Sequence, residues 1–96
     1  PGAFPPFSVA ELDAVLAVNA YEQAAAAYQA AVGTDAQAAR AYAIAEVRFS
    51  EGISTPVELT EARVQLEQAR LQRVTTARDL EVARMRLALL KDLPLA

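Results

Sequence analysis

A short break in helix-forming sequence, at residues 51–56, constrains this chain more than any other feature. The long stretches on both sides of it contain no proline. Gly52 can take the left-handed conformation that ends a helix, and Thr55 and Pro56 are typical of the N-cap and first position of the next one. Glu58 stands where an acid completes a capping box. Because the break is short, we expect two helices that fold back on each other as an antiparallel hairpin.

The first helix is predicted over residues 8–50, after a proline-rich lead-in at residues 1–7. Ser8 lies three residues before Glu11, which is the spacing of a capping box at a helix start. A line of mostly apolar side chains, interrupted by Asn19, recurs at helical spacing and predicts the inner face. The line consists of Leu12, Leu16, Ala24, Tyr28, Val32, Ala39, Tyr42, Ala45 and Phe49.

Gly33 is the weak point of this first helix. Glycine costs about 1 kcal/mol relative to alanine in a helix interior. Thr34 or Asp35 could cap a second helix at that point. The sequence therefore allows either one long helix with a soft spot or two helices with a break near residues 33–35, and we favour the long helix.

The return helix is predicted over residues 56–92, with a tail at 93–96. Its apolar seam alternates spacings of three and four residues, with Arg73 and Thr76 as polar interruptions. This period, close to 3.5, predicts a left-handed coiled coil. The candidate helix-interface residues are Leu59, Ala62, Leu66, Ala69, Leu80, Ala83 and Leu87.

A second, partly apolar line on the return helix indicates more than one neighbour. It consists of Val57, Val64, Leu71, Arg78 and Met85. An isolated hairpin needs only one apolar face on each helix, whereas a helical bundle or an α-barrel needs two. The expected fold class is therefore all-α, a long antiparallel coiled-coil hairpin that forms part of an α-barrel or a helical bundle.

Composition argues against catalysis and against nucleic-acid binding. The chain contains neither histidine nor cysteine, the residues on which most nucleophilic and metal sites depend. Only two of the nine basic residues precede Gly52, against half of the twelve acidic ones, and acids interrupt the later arginines. We expect no enzyme, no cofactor, no metal and no nucleic-acid partner.

Two stripes of polar and aromatic side chains have two interpretations each. Tyr21, Tyr28 and Tyr42 share one helix face at multiples of seven, which favours packing in the core or between subunits over ligand stacking. Three arginines of the return helix are also spaced by multiples of seven. They form either a solvated face that pairs with Glu67 and Glu81 or an interface with another helical protein. These arginines are Arg63, Arg70 and Arg84.

The segment from residue 39 to residue 69 resembles the periplasmic helix tips of outer-membrane efflux proteins of the TolC family. In that family an alanine-rich helix ends in arginine and an aromatic residue, followed by a glycine, a small polar residue, an acid and an Ala–Arg–Leu-rich return helix. The matching tip residues here are Arg48, Phe49, Gly52, Ser54 and Glu58. The resemblance covers the second half of the chain and extends to the first forty residues by composition only.

The resemblance implies the periplasmic part of an outer-membrane protein. Family members are homotrimers whose helices form a tapered α-barrel for multidrug efflux or type I secretion. The helix tips close the duct and dock a periplasmic adaptor, which links the channel indirectly to an inner-membrane transporter. By carry-over, Gly52 would form the tip turn and Glu58 would take part in closure. Phe49 replaces a frequent tyrosine, and Ser54 stands where one repeat of the family can carry a base.

Several departures leave other interpretations open. A full family member is about four times longer, so we expect a tip-region fragment or a shortened relative. The first alternative is the coiled-coil hairpin of a membrane-fusion-type periplasmic adaptor, although the spacing from Arg48 to Ser54 is narrower than is usual there. The second alternative is a small secreted helical hairpin that pairs into four-helix bundles.

Overall fold

The computed structural model describes residues 8–92 and contains two helices, α1 (Val9–Ser50) and α2 (Pro56–Asp92). They pack against each other as an antiparallel pair, and α1, with 42 residues, is about 63 Å long. The predicted lead-in at residues 1–7 and the tail at 93–96 lie outside the described residues. The predicted class, an all-α helical hairpin, is confirmed, and within residues 8–92 there is no strand. Neither α1 nor α2 combines the length and the hydropathy needed to cross a bilayer.

Helix α1 runs through Gly33 without a break. A Cβ atom added at Gly33 would meet no neighbour within 4 Å, so this glycine serves no close approach. The Thr34 hydroxyl donates to the Ala30 carbonyl at 3.1 Å, one turn back along the same helix. Neither Thr34 nor Asp35 caps a second helix, because the backbone on both sides stays helical and its amides remain bonded within α1.

The face of α1 that packs on α2 follows a strict heptad repeat. Leu12, Leu16 and Phe49, which the sequence placed on the inner face, are 41–49% exposed. The buried residues are instead Ala17, Ala31 and Asp35. The centre of this face alternates between a small residue and a larger one, in the order Ala17, Tyr21, Ala24, Tyr28, Ala31, Asp35, Ala38, Tyr42 and Ala45. Four residues beside this line are also half-buried, and these are Ala20, Ala25, Val32 and Ala39. The six predicted inner-face residues from Ala24 to Ala45 are therefore all half-buried.

The facing side of α2 is the line that the sequence predicted. Leu66, Ala69 and Ala83 are at most 8% exposed. The other predicted interface residues are half-buried, and these are Leu59, Ala62, Leu80 and Leu87. Thr76, which interrupts this line, is also buried, and its hydroxyl donates to main-chain carbonyls of the preceding turn. The α2 seam therefore alternates leucine with alanine, opposite the tyrosine–alanine alternation of α1.

The core between the helices is thin. Leu66 is the only described buried hydrophobic residue larger than alanine, while sixteen large hydrophobic residues are at least 40% exposed. Full burial of a leucine contributes about 1.5–3 kcal/mol, and an alanine methyl contributes much less. Most of the apolar surface that this chain could bury therefore remains on the outside of the hairpin.

Leucine in place of a seam alanine should destabilise the hairpin. Ala31 is 4% exposed and faces α2, so Ala31→Leu would force the helices apart and lower the free energy of unfolding by about 1–3 kcal/mol. The matched control is Ala26→Leu, on the exposed side of the same helix, which should stay within about 0.5 kcal/mol. Urea denaturation followed by circular dichroism measures both, and equal effects would contradict a close alanine seam.

Candidate functional site at the helical turn

The carboxyl end of α1 is closed by a Schellman motif centred on Gly52. Gly52 has φ = +76°, in the left-handed region. Its amide donates to the Phe49 carbonyl at 3.0 Å, and the Ile53 amide donates to the Arg48 carbonyl at 2.8 Å. This pair of bonds satisfies carbonyls that the end of a helix otherwise leaves without partners. The structure therefore gives Gly52 the role in the turn that the sequence predicted for it.

The start of α2 is a reciprocal capping box. The Thr55 hydroxyl accepts a hydrogen bond from the Glu58 amide at 3.2 Å, and the Glu58 carboxylate accepts one from the Thr55 amide at 3.4 Å. Pro56 occupies the first helical position, where its missing N–H is not needed. The Leu59 amide then makes the first bond of the helix, to the Thr55 carbonyl. The direction change is thus complete within residues 51–55.

The turn presents an exposed and partly apolar tip. Arg48 and Phe49 are exposed, and Ile53 is 61% exposed at the apex. Ser54 is half-buried, and its hydroxyl is enclosed without a hydrogen-bond partner among the described residues. Glu58 remains exposed even though it contributes to the cap. The structure therefore brings the five predicted tip residues together around one turn, with Ile53 as an apolar member that sequence reasoning did not select.

A shallow apolar groove begins at this tip and runs along the outside of α2. It is lined on one side of the helix by Pro56, Val57, Thr60, Glu61, Val64 and Gln65. Val57 and Val64 also begin the second line of α2, which continues through Leu71 and Met85. These four apolar residues are 44–67% exposed. The second line that the sequence predicted thus faces away from α1, and we call Val57, Val64, Leu71 and Met85 the outer line.

The arginine stripe of α2 makes contacts along its own helix. Arg63 lies 3.7 Å from Glu67, and both side chains are about two-thirds exposed. Arg84 pairs with Glu81 in the same way, again with both side chains more than half exposed. Such surface pairs contribute little to stability. The local pairing predicted with Glu67 and Glu81 is therefore present.

Away from the tip, one polar layer interrupts the seam. Of its two residues, the sequence indicated only Arg73 as a polar interruption. The Arg73 guanidinium donates to the Asp35 carboxylate at 3.1 Å across the two helices. The Asp35 side chain is 12% exposed and that of Arg73 is 48% exposed, so the acid is enclosed and the base reaches it from the edge. The hydrogen bond to Asp35, followed by the neighbouring Tyr28 hydroxyl, raises the pKa of Arg73.

The sequence around Asp35 indicated only a possible helix cap and not a contact across the seam. The signal that identifies it is the stripe of Tyr21, Tyr28 and Tyr42, in which residue 35 is the one heptad position without a tyrosine. Arg73 is likewise the one position of its heptad line, between Leu66 and Leu80, without a leucine. Two polar interruptions in facing heptad lines predict a contact between them.

The described residues contain no group of three or more carboxylates placed to hold a metal ion. Comparison of the chain with family models, with curated proteins and with solved structures gave no match. The features that bear on function are therefore the tip, the outer line and the polar layer themselves.

Substitution of the two described glycines by alanine should have opposite effects. Neither position has a neighbour that a Cβ would touch, so only the backbone conformation differs. Gly52→Ala should lower stability by about 1 kcal/mol, because alanine is strained at positive φ. Gly33→Ala should raise it by up to about 1 kcal/mol, because alanine is the better helix former. Thermal melts of both variants check this, and a stabilising Gly52→Ala would contradict a left-handed turn.

Proposed function

We propose that this hairpin is the periplasmic tip segment of an α-barrel in a TolC-like outer-membrane efflux or secretion channel. In this role copies of the hairpin pack side by side around a duct, and the turn docks a periplasmic adaptor and takes part in gating. The role is structural and not catalytic. The observation that carries the proposal is the outer line of α2, a heptad row of apolar side chains that α1 does not cover.

The outer line has the spacing of a surface that packs against another helix. Its members recur at intervals of seven or fourteen residues, so they stay on one side of a supercoiled helix and would fit the seam of another helix. Helix α1 also carries exposed apolar residues outside the seam, among them Val15, Val18, Ile44 and Val47. Helices with apolar surface on two sides suit a closed ring or bundle, in which every helix has two neighbours.

Charge supports the pairing of unlike helices from neighbouring copies. Helix α1 is predominantly acidic, whereas the exposed arginines of α2 include Arg70, Arg78 and Arg86. Contact between α2 of one copy and α1 of the next would bring complementary potentials together. Contact between two α2 helices would lack this complementarity, because α2 carries nearly equal numbers of acidic and basic residues. A head-to-tail arrangement of this kind closes into a ring if the rotation between copies permits it.

The shape of the turn supports its use as a docking surface. Two reinforcing caps hold the backbone of residues 48–58, so its exposed side chains are presented from a rigid support. Preorganised contacts lose less conformational entropy on binding. The apex combines an apolar side chain, Ile53, with charged groups at Arg48, Glu51 and Glu58. This combination fits the end of another helical hairpin, such as that of a periplasmic adaptor.

Self-association through the outer line is testable by sedimentation velocity over a range of concentrations. We expect the wild-type chain to form trimers. The double variant Val64→Glu, Leu71→Glu should remain helical but should not form trimers, because its carboxylates would be buried in the interface. Gln68→Glu adds a charge at another exposed position of α2 and serves as the control. A chain that stays monomeric up to several hundred micromolar contradicts the α-barrel role. A stable dimer would favour the small four-helix-bundle protein instead.

Docking through the tip is tested by calorimetry with the purified membrane-fusion-type adaptor of the same organism. Loss of an apolar contact at the apex through Ile53→Glu should weaken binding at least about tenfold, or roughly 1.4 kcal/mol. Gln29→Glu, at an exposed polar position of α1 far from the turn, should leave binding unchanged. Glu58→Gln keeps an acceptor for the cap, so any effect on affinity reports the charge of Glu58. Equal loss in the Gln29 and Ile53 variants would contradict a docking role for the tip.

A further inference from the structure

Contact between the two helices repeats every seven residues. The Asp35–Arg73 bond defines which residues lie level with each other. Shared surface grooves agree with this register, since Tyr21 lies beside Leu87, Ala24 beside Ala83 and Ala38 beside Ala69. Counting heptads from the bond therefore gives large layers and small layers in alternation. The large apolar layers are Phe49 with Leu59, next to the turn, followed by Tyr42 with Leu66, Tyr28 with Leu80 and Tyr21 with Leu87.

A repeat of this kind does not by itself select a register. If α2 slid along α1 by seven residues, tyrosines would again lie level with leucines and alanines with small residues. The apolar contacts would be almost the same as before. Coiled coils with uniform apolar seams commonly resolve this ambiguity with a polar residue at a single core position. The Asp35–Arg73 layer is the one large layer that differs from the others.

We propose that the Asp35–Arg73 layer is a register lock, which selects one alignment of α1 and α2 from those related by a heptad shift. After a shift in either direction, Asp35 would lie level with a leucine, Leu66 or Leu80, and Arg73 with a tyrosine. An enclosed carboxylate without a partner is strongly destabilising. The lock does not depend on the proposed channel role.

The two side chains are buried to different extents. Asp35 therefore contributes most of the free-energy difference between the native register and the shifted ones. Its side chain is only 12% exposed, so its carboxylate has little access to water that could replace Arg73 as its partner. Arg73 is 48% exposed and would be solvated in any register. Removal of Arg73 should therefore be more harmful than removal of Asp35.

The short turn also restricts the register, so the lock must be tested with the turn weakened. Gly52→Ala and Glu58→Ala together remove the left-handed residue and half of the capping box. A one-heptad shift then needs the turn to move only three or four residues along the chain. Since the chain has no cysteine, Gln23→Cys and Gln65→Cys give two unique sites for spin labels. These exposed positions are separated by about 30 Å along the axis, and a shift toward a later turn adds about 10 Å.

Electron-paramagnetic distance measurement on the full chain with the weakened turn provides the test. With Asp35 and Arg73 present we expect one distance population. With Asp35→Leu and Arg73→Leu we expect a second population, about 10 Å longer or about 10 Å shorter according to the direction of the shift. Arg63→Leu with Glu67→Leu, which removes an exposed pair, should keep one population. A single population at the original distance in the leucine pair overturns the proposal, and so does a second population in the control.

A second measurement tests the proposal if the chain with the weakened turn, Gly52→Ala with Glu58→Ala, does not fold. With the turn intact, Arg73→Leu should lower the melting temperature more than Asp35→Leu, and the leucine pair should melt above Arg73→Leu. This order follows from the enclosed carboxylate and is not expected of a surface ion pair. An equal effect of the two single substitutions, or the reverse order, overturns the lock.

Discussion

Contact between α1 and α2 depends on alanine at every seventh residue of the α1 seam. Ala17, Ala31 and the half-buried alanines between and beyond them place only a methyl group at alternate layers. Small side chains at alternate layers let the larger residues of α2 pack beside them, in the interdigitated way that dense cores require. The same alanines supply a strong helical propensity along a helix of 42 residues. One residue type thus provides both the long helix and its seam.

The small side chains of the seam also affect the outside of the hairpin. A seam of methyl groups buries little apolar surface, and most of the large hydrophobic side chains remain exposed. Exposed apolar rows of this extent are typical of surfaces that bind other proteins. The outer line of α2 and the apolar residues of α1 therefore connect the thin core to the proposed assembly of several hairpins. In that assembly the neighbours would supply the burial that the single hairpin lacks.

Local and long-range constraints act at different places along the hairpin. At the tip, Gly52, Thr55 and Glu58 form bonds only with residues a few positions away, which makes the turn rigid and leaves the outward side chains free for contacts. Midway along the seam, Asp35 and Arg73 are 38 residues apart in sequence and meet only because the helices are folded together. The tip suits recognition, and the polar layer suits alignment.

The sequence by itself determined the two helices, the turn and the inner line of α2. These features depend on local chemistry: the positive φ of Gly52, the cap at Thr55, and the leucine–alanine repeat from residue 59 to residue 87. The predicted inner line of α1 is half-buried from Ala24 to Ala45, but only the tertiary structure decided which face is buried nearer the start of the helix, where apolar residues occupy several faces. Leu12 and Leu16 were therefore assigned to the inner face, although they lie outside it. The structure also decided the partner of Arg73, since a helix periodicity identifies a face but not the residue opposite, and only packing of α1 on α2 brought Asp35 within hydrogen-bonding distance.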